Sequence, residues 1–206
     1  MFSSLRQGGF VALESAIWCL MLLPLGLLGV SMFALAHDEN LVQRLPESLM
    51  RETKGRVITW RSDGESGFFE VNQGRLTAIV LGLRDRALLA LQQQAFKLDD
   101  ISARACYWVY GVDAVSGAVD SAALISDCRS QGELSAGLQL ETPRINRIQS
   151  GIAKPIVIDG EVGEFISRVV LIGVAVGGRY QGLAEYLRGD VVQHGAVWVP
   201  RQDLVL

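Results

Sequence analysis

The apolar positions of this chain form one unbroken block near the N-terminus, then a series of shorter periodic runs. Positions 10–36, FVALESAIWCLMLLPLGLLGVSMFALA, hold 21 hydrophobic residues in 27 places, and positions 15–36 make 22 residues without a charge. As a helix, that uncharged run is ~33 Å long, enough for a hydrocarbon core of ~30 Å. It predicts a single transmembrane helix. Arg6 precedes the run, and Asp38 and Glu39 follow it. The positive-inside bias therefore predicts a cytoplasmic N-terminus and an exported remainder.

Beyond the block the period changes several times. Leu41, Val42, Leu45 and Leu49 share one helical face, so the helix is expected to continue into a stem, interrupted or kinked near Pro46 and stopped by Gly55. Positions 56–61, RVITWR, read as a strand, with Asp63 and Gly64 as turn residues and 67–72 as a second strand. From 74 to 96, Leu76, Ile79, Val80, Leu83, Ala87, Ala90 and Leu91 line one face of an amphipathic helix. Positions 101–111 form an aromatic-rich strand, and the small and polar residues of 112–134 read as a loop. More extended sequence is expected around 138–148, then strands at 155–159 and 168–178. The last of these is apolar on both faces and is expected at the centre of its sheet. QGLAEYL reads as a helical turn, and GAVWVPRQDL as a closing strand. The expected architecture is α+β: a long N-terminal helix and stem over 10–46, then a domain over 47–206 with an antiparallel sheet packed on the amphipathic helix.

Composition sharpens this picture in two ways. The chain is 50% hydrophobic overall, but outside the block the share falls to about 46%, an ordinary globular value. The 19 basic and 22 acidic residues give a net charge of −3 with no basic stripe, so no nucleic-acid partner is expected.

Candidate chemistry is sparse. There is no nucleophile elbow, no H-E-x-x-H and no C-x-x-C, and Gly173, Gly177 and Gly178 lack the Lys-Ser/Thr of a phosphate loop. Asp113, Asp120 and Asp127 miss the spacing of a calcium loop and read as solvated carboxylates. The expectation is no enzyme, no catalytic residue, no metal and no cofactor. Cys106 and Cys128, 22 positions apart, read as one disulfide if exported. A metal site is the rival reading, and its only histidines would be His37 and His194. Cys19 reads as a lipid-compatible side chain, and Gly26 and Gly29 as ordinary membrane-helix glycines or close-packing sites.

Glu14 stands out in the block, because a carboxylate at the mouth of an apolar segment is costly unless paired. It is the fifth residue after Gly9. Glycine, a large apolar residue, glutamate at that spacing and then a long apolar helix resemble the class III signal of type IV prepilins. That resemblance implies a leader over 1–9 and cleavage between Gly9 and Phe10 by a membrane prepilin peptidase. The new ammonium of Phe10 could then meet Glu14 of a neighbouring subunit. Within that superfamily, Arg6, Gly9, Glu14 and Pro24 resemble the TadE/TadF-like minor pilins of the tight-adherence system. The implied role is assembly or priming of a Tad-type pilus and surface adherence. The implied partners are other pilins, the assembly platform, the peptidase and the inner membrane, with the domain in the periplasm. Alternative readings are an uncleaved anchor on a periplasmic enzyme or binding protein, and a minor pseudopilin of a type II secretion system. A secretory signal peptide cut after Ala34-Leu35-Ala36 is a further one.

Overall fold

The computed structural model describes residues 3–53, 59–63, 66–71, 73–112, 116, 118–142, 144–145, 147–148, 156–158, 167–198 and 204–205. The fold is α+β, with a long apolar N-terminal helix followed by a four-stranded antiparallel sheet and a second helix. Helix α1 runs from Ser3 to Thr53. It passes through both Pro24 and Pro46 without interruption, although neither proline can donate to the carbonyl four residues back. No interruption falls at Pro46; that residue is buried, and the segment around it is held by packing. Gly55 lies outside the described residues.

The hairpin β1 (Thr59–Asp63) and β2 (Ser66–Val71) is antiparallel, and β2 pairs in parallel with the short β6 (Ile156–Ile158). Helix α2 spans Gln73–Gln94 and buries Leu76, Val80, Leu83, Ala87, Leu88 and Leu91, the stripe that its 3.6-residue period marks out. The main sheet follows: β3 (Leu98–Val112), β4 (Val119–Gln131), β7 (Ser167–Tyr180) and β8 (Val191–Trp198), in spatial order β4-β3-β7-β8. Two-residue strands β5 (Arg147–Ile148) and β9 (Leu204–Val205) pair apart from it, and α3 (Leu183–Arg188) joins β7 to β8.

The sheet has two covered faces. Ala103, Ala105, Tyr107 and Val109 of β3 and Val170, Ile172, Val174 and Val176 of β7 share a core with α2 and with Leu35, Val42, Leu45, Leu49 and Met50 of α1. Alternate residues of β7 point the other way, which is why its sequence is uncharged and apolar on both faces from Val169 to Gly178. On that second face Trp108 and Tyr110 pack with Leu171 and Ile145. Beside them the irregular segment carrying Leu138 and Leu140 crosses a stripe of small residues. A Cβ added at Gly177 would lie 2.8 Å from both Leu138 Cδ2 and the Val192 carbonyl oxygen; at Gly173 it would meet Val197 Cγ2 at 3.0 Å and Leu140 Cδ2 at 3.2 Å. These glycines serve close packing.

A second sequence expectation is corrected. Much of 112–134 is not a loop, because residues Val119–Gln131 form β4 and pair along β3 from Ala103↔Gln131 to Val112↔Val119. Among the described residues β4 lies at the sheet edge, with β3 as its one partner strand, and is largely exposed, so its Ser, Asp and Ala residues need no apolar alternation. A register shift between Val109 and Tyr110 further blurs the two-residue period.

Candidate functional site

Helix α1 divides into two halves of different character. From Leu13 to Phe33 the large side chains Ile17, Trp18, Leu20, Met21, Leu23, Leu25, Leu27 and Val30 are all exposed. From Ala34 onward one face is buried in the domain. The helix is long and apolar enough to cross a membrane. Exposure of so many large apolar side chains around a whole helix circumference suits lipid or other helices, not water.

Glu14 lies near the start of the bare half, fully on the surface, and is the one charged residue from position 13 to 36. It has no ion-pair or hydrogen-bond partner among the described residues. Gly9 and Phe10 fall within the helical backbone of α1, upstream of it.

Where the bare half meets the domain, Asp38 is 0% exposed. Its carboxylate accepts the backbone N–H of Phe96 at 2.9 Å (Oδ1) and 3.2 Å (Oδ2), and that of Lys97 at 2.7 Å (Oδ2). These two amides lie past the end of α2, where the chain has left the helix and its N–H groups no longer bond back to the carbonyl four residues earlier, and a carboxylate satisfies them with charge-assisted bonds. His37 packs its ring 4.9 Å from that of Phe96. Farther along α1, Glu52 pairs with Arg86 of α2 at 3.3 Å. Helix α1 is thereby fixed to the domain by packing and by a buried polar clamp. In the sequence Asp38 reads only as a charge flanking the apolar run. Its immediate position after that run was a signal, but its partners lie 58 and 59 residues away.

Cys106 and Cys128 are joined in a disulfide, facing one another directly across β3 and β4 with Cα atoms 4.1 Å apart. Asp127 pairs with Arg129 at 2.9 Å. Asp120 lines a cleft of about 430 Å³ with Tyr110, Val119, Ser121, Thr142, Arg144 and Ile145. Asp113 lies outside the described residues. His37 is on α1 and His194 on β8, and among the described residues no three His, Cys, Asp or Glu side chains gather to hold a metal ion. Cys19 is free and exposed on the bare half.

The chain matches no protein-family model, no curated protein and no solved structure.

Proposed function

We propose that this chain is a minor pilin or pseudopilin of a Tad-type pilus, held in the inner membrane by α1 with its domain in the periplasm. One observation carries the reading: the same uninterrupted helix is bare and apolar in its first half and part of the domain core in its second. A tethered enzyme gains nothing from such fusion, since a flexible linker would serve it. A subunit that must stack with others needs it, because a helix rigid with its domain transmits axial register from the membrane to the outer surface. Glu14, without an ion-pair partner among the described residues, supports intersubunit pairing with the ammonium that cleavage after Gly9 would create on Phe10.

The position of Ala34 and Leu35 weighs against a signal-peptide reading. Both are buried in a helix that continues unbroken through the Ala34-Leu35-Ala36 site, and Leu35 belongs to the core. Co-expression with a prepilin peptidase tests the proposal. Intact mass should give a mature protein beginning at Phe10, and Gly9→Ala should leave it full-length. A mature terminus at His37 would overturn the reading.

A further inference from the structure

The domain's basal end carries apolar side chains that the fold leaves largely exposed. Two connections of the main sheet, α2 to β3 and β7 to β8, lie at the end where the bare half of α1 leaves the domain. A hydrogen-bond relay fixes their common level. Asp38 of α1 accepts the Lys97 N–H at 2.7 Å, and the Lys97 carbonyl accepts the Gln181 N–H at 3.0 Å, just ahead of α3. At this level Phe96 is 65% exposed, Tyr186 94% and Leu187 49%. α3 also packs against α1.

The helix sets the height of this end relative to a bilayer. From Glu14 to Phe33 the bare half rises ~29 Å, one hydrocarbon thickness. His37, whose ring meets Phe96, lies one turn farther on, or ~6 Å above that edge. The polar region of a bilayer adds ~5–8 Å on each side, so Phe96 falls within it. Tyrosine, an aromatic ring with a polar tip, favours this layer, and exposed Phe and Leu side chains supply the apolar area that buries at its inner boundary. The nearby charges are of both signs: Lys97 adjoins Phe96 and Glu185 adjoins Tyr186, while Arg179 is engaged by Asp100 (3.5 Å) and Asp190 (3.3 Å) and Asp99 is bonded to Gln181, so no net basic patch draws this end to an anionic surface.

We infer that Phe96, Tyr186 and Leu187 form a foot that seats the domain in the headgroup layer of the bilayer spanned by α1, through apolar insertion and without need of anionic lipid. Bilayer contact at two connections beside the anchor restrains the domain's tilt, which a single helix cannot do. The inference rests on the reading that α1 spans the membrane.

The test uses the full chain with Cys19→Ala, reconstituted at low protein density in phosphatidylcholine vesicles. Single cysteines for a spin label are introduced as Phe96→Cys, Tyr186→Cys and Leu187→Cys. Leu23→Cys in the bare half and Leu124→Cys on β4 serve as references. Collision with lipid-soluble oxygen is compared with collision with a water-soluble nickel chelate. Labels at 96, 186 and 187 should favour oxygen several-fold more than the label at 124, at depths between those of 124 and 23, and adding anionic lipid should not deepen them. If 23 reads as lipid while 96, 186 and 187 match 124, the foot is wrong and the anchor stands. An aqueous label at 23 removes the anchor reading, and the foot with it. Labels at 96, 186 and 187 shielded from both reagents would mean that protein covers the surface, also overturning the inference. Since Tyr186 is almost wholly exposed, its replacement keeps the test open should Phe96→Cys disturb the His37 contact.

Discussion

The carboxylate of Asp38 and the backbone N–H of Lys97 meet at 2.7 Å, although 59 residues separate them. That bond joins α1 to the turn just ahead of β3, near the level where the helix ceases to be bare. Together with the core formed by Leu35, Val42, Leu45 and Leu49, it makes the second half of α1 an element of the domain. The orientation of the domain relative to the bare half is then a property of the fold.

Asp38→Ala should loosen this junction. It leaves the Phe96 and Lys97 amides without their acceptor, and each unsatisfied donor costs about 1–3 kcal/mol where water cannot replace the bond. Tm by circular dichroism in detergent should fall by roughly 5–10 °C. Asp38→Asn, which retains one acceptor oxygen, should lose less. An unchanged Tm for Asp38→Ala would contradict the clamp.

Reducing the disulfide should weaken the domain without disturbing the anchor. Its closed span of 22 residues corresponds to roughly 3 kcal/mol in the chain-entropy model. Alkylation of the unfolded, unreduced protein should modify Cys19 alone, and reduction should add Cys106 and Cys128. A urea midpoint indifferent to reductant would contradict the stabilising role.

Two glycine substitutions should have opposite signs. Gly177→Ala sets a Cβ against the Val192 carbonyl oxygen and Leu138, both at 2.8 Å, and should destabilise by about 1–3 kcal/mol, as overpacking does. Gly82→Ala, inside α2 with no atom within 4 Å of the added carbon, should stabilise by about 0.5–1 kcal/mol. Denaturant midpoints of the two variants on either side of the parent check the pair. Equal shifts would contradict the packing described for β7.

The elements most legible in the sequence are those with one environment along their whole length. The stripe of α2 from Leu76 to Leu91 and the doubly apolar β7 each follow from period alone. β4 was not legible, because an edge strand pairs mainly through its backbone and Ser126 or Ser130 can face water at no cost. The second half of α1 was half legible: its apolar face stood out, but Pro46 suggested a break that packing overrides. Asp38 could not be read as a clamp, since a carboxylate's partners across 58 residues leave no local trace. The bond between Cys106 and Cys128 was expected from compartment and spacing, whereas their directly opposed positions depend on the strand that went unseen.

Glu14→Gln is the most direct test of the central claim, that the bare half of α1 assembles with other pilin helices. The variant keeps the size of the side chain and removes its charge. Loss of one partner from a buried ion pair typically costs about 3–5 kcal/mol. In the native host at parental expression, surface pili and co-purifying pilins should therefore drop sharply. Membrane insertion, the Cys106–Cys128 bond and the Tm of the domain should stay as they were, because Glu14 touches none of them. Pili and co-purified pilins at parental levels in the Glu14→Gln strain would contradict the assembly role and leave α1 a plain anchor.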